Sequence, residues 1–304
     1  MNENSVLELV DVTKSFKKKD VLKGISFSVG DGDILSIMGP NGVGKTTLLR
    51  IISGLYEPSG GKVYKLPVLE KENYCSVLFE ANGLYPTFTL RENLRFFQNI
   101  KSKKNLPLSD EALYIVKKLQ MEDKLDEKIR FFSKGMLRKV AVARAVLKNP
   151  RLLILDEPFD GLDVESHSFL IRFLREWVKE GKRSIIVSSH NVLEIERLCN
   201  RLILMRDGKV IKNTTLEDLK KATYKGYAVT FGKNESDDRI NNVLQDMNVR
   251  YNKKENGTFE LDIPENKVEE MISKLKENEM EIREAKIIEA DLEEIYLKNY
   301  EVKQ

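Results

Sequence analysis

Short apolar runs alternate with polar turns through the first part of the chain. "SVLELVDV" from Ser5, "GISFSV" from Gly24 and "DILSIMG" from Asp33 are bounded by Gly, Asp or Lys and predict strands. The third runs directly into "GPNGVGKTT" at Gly39, and "KTTLLRIISGLY" continues with helical apolar spacing until "EPSGG" stops it. From about Leu84 to Leu147 the pattern is helical, with "LRENLRFFQNI", "SDEALYIVKKLQ" and a segment opening at Ser133; Ser109 with Asp110 suits a helix start. Strand patterning resumes in "RLLILDEP", passes through the amphipathic "VESHSFLIRFLREWVKEGK" and returns in "RSIIVSSH". Strands alternating with helices predict an α/β fold with a mostly parallel sheet covered on both faces, into which the helical stretch is inserted.

"RLILMRDGKVIK" predicts a hairpin, because Asp207 and Gly208 suit a type I′ turn. Beyond about Lys221 a smaller α+β unit is expected: "YAVTF", "TFELDI" and "EIREAKIIEA" as strands, "DRINNVLQDM", "ENKVEEMISKLKEN" and "DLEEIYLKNYE" as helices. The expected domains are residues 1–220 and 221–304. No internal repeat or low-complexity segment interrupts them.

Composition changes this picture little. The 304 residues carry 51 basic and 48 acidic side chains, a formal charge of +3, so no whole-molecule field argues for a nucleic acid partner. The basic runs at Lys17 to Lys19 and Lys101 to Lys104 read as solvated loop charges, or as a patch that meets a membrane surface or an acidic partner. Cys75 and Cys199 form neither a disulfide framework nor a metal ligand set, which suits a reducing compartment. No segment approaches about 18 consecutive apolar residues and the amino terminus lacks the build of a signal peptide, so a membrane role is expected to come through a partner.

Three stretches carry candidate chemistry. Gly39, Pro40, Asn41, Gly42, Val43, Gly44, Lys45, Thr46 and Thr47 fit the pattern in which glycines let backbone N–H groups converge on phosphate oxygens at a helix start. Lys45 supplies a point charge for the β- and γ-phosphates, and the Thr46 hydroxyl is a magnesium ligand. "LLILDEP" places Asp156 and Glu157 at the carboxyl end of a buried strand, where ligands bind in open α/β sheets: Asp156 for magnesium, Glu157 as general base toward water. His190 ends another apolar strand, and an adjacent parallel strand would bring it to the γ-phosphate; a structural histidine is the alternative. His167, in mid-helix, is given no role. Trp177 and the Phe96, Phe97 pair read as helix packing.

With the turn Ser133 to Met136 and the run Gly161 to Asp163, these motifs occur in the order and approximate spacing of ATP-binding cassette (ABC) ATPase subunits, which residues 5 to 220 resemble. The resemblance implies a P-loop NTPase core, ATP and Mg²⁺ as ligands, and ATP hydrolysis by Glu157 and His190. It also implies a head-to-tail dimer in which Ser133, Lys134, Gly135 and Met136 cap the nucleotide of the facing subunit, with Gly161, Leu162 and Asp163 as the D-loop. Phe16 takes the adenine-stacking place, usually tyrosine, with a core phenylalanine as the alternative. Glu80 takes the place of the Q-loop glutamine and could ligate magnesium. The signature "FSKGM" departs from "LSGGQ" at Lys134 and Met136 but resembles a variant of the exporter branch, and "LEEIY" at Leu292 to Tyr296 resembles a short ending of ABC-2 type exporter ATPases. The expected role is a peripheral ATPase on the cytoplasmic face, paired with itself or a sister and driving a separate membrane permease through the helical insertion and the loop from Glu80 to Leu94. An importer ATPase, and a soluble ABC ATPase acting on ribosomes or DNA, are the alternatives.

Overall fold

The computed structural model describes residues 5–17, 19–65, 75–79, 83–100, 106–222, 224–232, 235–254, 256–264 and 267–289. Contacts divide the chain into two compact units, Met1–Leu216 and Glu217–Gln304.

The first unit is organised by a six-stranded sheet. Its strands are β3 (Ile34–Met38), β5 (Cys75–Leu78), β6 (Leu152–Asp156), β7 (Ser184–Ser188), β8 (Arg201–Arg206) and β9 (Lys209–Thr215), in the order β5-β6-β7-β3-β8-β9. All pairs are parallel except β8 with β9. Every residue of β3, β6 and β7 is buried, as expected for strands packed on both faces. The predicted hairpin is present: Asp207 and Gly208 both have positive φ, 51° and 76°, as a type I′ turn requires.

One face of this sheet is covered by α1 (Lys45–Ile52) and by a separate antiparallel sheet of β1 (Ser5–Phe16), β2 (Lys19–Gly30) and β4 (Gly60–Lys65), in the order β2-β1-β4. Leu9, Ile25, Leu48 and Ile52 meet Ile37, Ile154 and Ile186 in one core. Helix α1 is shorter than predicted, because Ser53 caps it and Gly54 turns the chain at φ 81°. Strands β4 and β5 were not predicted. β4 lies over the "GG" read as a helix stop, and its polar, half-exposed residues hide its pairing with β1.

The helical stretch contains α2 (Leu90–Asn99), α3 (Asp110–Lys118) and α4 (Lys134–Val146). Thr89 closes a capping box with Glu92, and Ser109 caps α3 as predicted. Helix α4 packs against β5, α2, α3 and α5 (Val164–Lys179), so it returns the chain to the sheet. Buried Leu170, Ile171, Phe173, Leu174, Trp177 and Val178 give α5 a single apolar face. The short α6 (Val192–Leu198), also unpredicted, lies against α5.

In the second unit, α7 (Leu216–Ala222) leads into β10 (Tyr224–Phe231), α8 (Asp237–Asp246), β11 (Arg250–Lys253), β12 (Phe259–Asp262), α9 (Val268–Glu277) and β13 (Ile282–Glu289). From β10 onward the order is βαββαβ, with an antiparallel sheet β11-β12-β10-β13, a ferredoxin-like arrangement. Val229, Phe231, Phe259 and Leu261 bury one face against Ile240, Leu244, Met271 and Leu275 of the helices. The predicted "DLEEIYLKNYE" helix lies outside the described residues. Among the described residues no helix is long and apolar enough to cross a membrane.

Candidate functional site

The site lies at the carboxyl ends of β3, β6 and β7, adjacent in the sheet with β7 at the centre. From Met38 at the end of β3 the chain turns through Gly39, Pro40, Asn41, Gly42, Val43 and Gly44 into α1, whose first turn holds Lys45, Thr46 and Thr47. Gly44 caps this helix in the left-handed region at φ 111°, with no side-chain cap and no acid in the first turn. The N–H groups that a Ser or Asp cap would satisfy are thus left to an anionic ligand.

Lys45 is buried, and its ammonium donates to the carbonyls of Gly39 at 2.7 Å and Pro40 at 3.4 Å. It stands 4.0 Å from Glu157 Oε1. Burial lowers its pKa, an effect opposed by the charges of Glu157 and then Asp156. The buried Asp156 accepts a 2.5 Å hydrogen bond from the Ser188 hydroxyl across the β6–β7 pair. Ser188 Oγ in turn accepts from the Glu157 N–H at 3.0 Å, so one side chain holds both acids. The sequence reading passed over Ser188; its signal is a polar residue closing the apolar run 185–187, beside the acid-bearing strand.

Glu157 has φ 46°, a conformation that costs a non-glycine residue energy and persists only where neighbours hold it. Its N–H donates to Ser188 O as well as Ser188 Oγ, and its carbonyl accepts from Arg138 at 3.1 Å. The side chain turns back so that Oε2 lies 3.0 Å from Nδ1 of His190. β6 and β7 are adjacent parallel strands, as expected, and this brings Glu157 and His190 together.

The remaining sequence-predicted residues divide into two groups. Phe16 is exposed, packs edge-on to Tyr56 at 5.8 Å and lies under the Lys14 ammonium, so its ring has a free surface and is no core residue. Ser133 caps α4 by accepting from the Met136 N–H, and Lys134 and Gly135 form the first turn. This turn lies against the loop of Gly161, Leu162 and Asp163: Lys134 Nζ occupies the space over Gly161, and Asp163 caps α5 through the Ser166 N–H at 2.8 Å. That bond holds the Asp163 carboxyl below its ordinary range. Glu80 lies outside the described residues.

The residues fit a magnesium nucleotide. An uncapped helix start, a buried lysine and a buried carboxylate with one oxygen held by serine converge on one sheet edge. The ABC transporter family model matches residues 22–160. The ABC transporter ATP-binding protein NatA of Bacillus subtilis is 33% identical over 225 residues, 70% of this chain and 91% of that protein. The chain belongs to the ABC transporter ATP-binding family.

This ATPase is also 34% identical to the Nod factor export ATP-binding protein I of Bradyrhizobium diazoefficiens, over 67% of the chain and 69% of that protein. It is 32% identical to the spermidine/putrescine import ATP-binding protein PotA of Mesoplasma florum, over 71% of the chain and 63% of that protein. Among solved structures, a dimeric post-hydrolysis ATP-binding cassette bound to ADP and Pi aligns with TM-score 0.61 at 26% identity, covering 69% of this chain and 98% of the other. CbiO1 of Clostridium perfringens, part of a cbiONQ transporter complex, aligns with TM-score 0.64 at 25% identity, covering 71% and 91%. The first unit is thus a P-loop NTPase cassette, and the matches cover 67 to 71% of the chain.

Proposed function

We propose that the chain is the MgATP-hydrolysing subunit of an exporter, working as a head-to-tail dimer beneath a separate membrane permease. The observation that carries the catalytic part is the convergence of Lys45, Glu157 and His190. Lys45 would exchange the Gly39 and Pro40 carbonyls for phosphate oxygens, drawn by stronger charge-assisted bonds. Glu157 would take a proton from the attacking water, with His190 orienting the carboxylate and meeting the γ-phosphate. Thr46 and Asp156 would hold Mg²⁺, which neutralises charge developing on the phosphates. The magnesium role expected of Glu80 stays a proposal of the same kind.

The turn Ser133 to Met136 opens a helix and has no phosphate loop of its own, which suits a cap on a partner's nucleotide. ATP would then favour the closed pair and loss of phosphate the open one. Support for a permease contact comes from an exposed aromatic cluster beside α2: Tyr85 stacks on Phe88 at 5.1 Å and meets Phe96 edge-on at 4.8 Å. The "FSKGM" turn and the Nod factor export relative favour export; the PotA relative supports an importer as the second reading. Peripheral placement at the membrane's cytoplasmic face belongs to the same proposal, as does a role for residues 221–304 in supporting the dimer, regulating it or binding a further partner.

The test is the oligomeric state of Glu157→Gln protein by light scattering during gel filtration. A dimer formed only with MgATP, and lost when Ser133 is replaced by a bulky residue, is the expected result. A dimer indifferent to both would overturn the composite-site reading. Co-purification with an integral membrane protein tests the permease, and transport in vesicles containing that complex tests direction.

A further inference from the structure

Behind the catalytic pair lies a second polar chain that the sequence reading did not assign. Glu194, in the first turn of α6, is 9% exposed and has both carboxylate oxygens engaged. Oε2 accepts from the Ser189 hydroxyl at 2.5 Å, and Oε1 lies 3.3 Å from Nε2 of His167 on α5. Ser189 is 1% exposed, and its Oγ also accepts from the Asn191 N–H at 3.0 Å. One hydroxyl therefore ties the residues before and after His190 together, while the His190 ring projects outward toward Glu157.

The other end of the chain reaches the acid-bearing loop. His167 packs on Phe159 at 5.0 Å, two residues beyond Glu157, and sits on the helix that Asp163 caps. Phe159, His167 and Glu194 line a cavity of about 360 Å³ that Glu157 and His190 also border. A buried carboxylate is costly unless its oxygens are satisfied. Here the satisfying groups come from the histidine loop on one side and α5 on the other, so Glu194 ties the His190 loop to the helix whose His167 packs on Phe159 of the Glu157 loop.

We infer that Glu194 is a positioning residue for hydrolysis: through Ser189 and His167 it fixes the His190 backbone relative to the Glu157 loop, without touching the nucleotide. The inference rests on the reading of His190 as part of the catalytic pair. It makes a requirement that a merely structural cluster would not: removing Glu194 should matter only while His190 is present.

The experiment is a double-mutant cycle on the full chain, with steady-state turnover and, for slow variants, single-turnover hydrolysis at excess enzyme. Glu194→Ala is expected to lower kcat about tenfold or more while KM for ATP stays within about twofold. In a His190→Ala background the same change is expected to alter the single-turnover rate by less than about twofold. Ser189→Ala, which removes a single oxygen, gives the same cycle should Glu194→Ala fail to fold. Glu194→Gln should recover part of the loss, because its amide oxygen can still accept from Ser189. Equal fold losses in both backgrounds, or kcat and KM changing together, would overturn the positioning role. An unchanged kcat in His190→Ala alone would instead defeat the reading of the catalytic pair.

Discussion

A Cβ on Gly135 would stand 2.3 Å from Oγ of Ser166. The signature turn at the head of α4 is thus in direct contact with the first turn of α5, which Asp163 caps. The adjacent pair behaves alike: Lys134 Nζ lies where a side chain on Gly161 would begin. Two loops that were separate motifs in the sequence are one mechanical unit in the fold.

Gly135→Ala should therefore displace the signature turn. Overpacking of this kind costs about 1–3 kcal/mol. A lowered Tm and weaker ATP-dependent association are expected, the latter read by light scattering in the Glu157→Gln background. Ser166→Gly should recover much of both, since it removes the colliding atoms; an absence of rescue would place the cost elsewhere.

Lys45→Met is expected to abolish nucleotide binding and yet raise the Tm of the nucleotide-free protein. Burial lowers the Lys45 pKa, so its charged form is disfavoured in the folded state. The unfolded chain then binds more protons between the lowered value and 10.5, and stability rises with pH across that window. Methionine removes the buried charge and should flatten this contribution. Thermal melts of both proteins from neutral pH upward measure it.

Ser188→Ala should lower turnover by about tenfold or more, since it frees one oxygen of Asp156 and removes one acceptor of the Glu157 N–H together. The apparent Mg²⁺ requirement should rise as well, measured by titrating metal at saturating ATP. A variant with lowered Tm but unchanged turnover would show that Ser188 serves stability alone.

Both cysteines should be unreactive in the folded protein. Burial pushes the Cys75 thiol up to about 12 and raises that of the buried Cys199 as well. At pH 8 neither forms appreciable thiolate, the nucleophilic species. Thiol titration should detect almost none in native protein and both after denaturation.

Much of the cassette is legible in the chain because its signals are local. The largely apolar runs of β3, β6 and β7 mark a two-sided sheet, and Ser109 marks a helix start by the hydrogen bond it can make. What escaped has no local signal. β4 is polar and β5 is four residues long, and each is a strand only because a partner edge is available. Phe96 packs edge-on against Phe97 at 5.2 Å, as expected, and its ring also meets Tyr85 at the surface, which no local signal shows.

Residue type at fixed spacing is enough to mark the glycine loop from Gly39, the acids at the end of β6 and the order of motifs that marks the family. Tertiary structure alone decided what those residues touch. The contact of Glu157 with His190 spans 33 residues and that of Glu194 with His167 joins two helices. Ser189, ordinary in the chain, became a clamp because a buried carboxylate must find its hydrogen bonds wherever the fold places a donor.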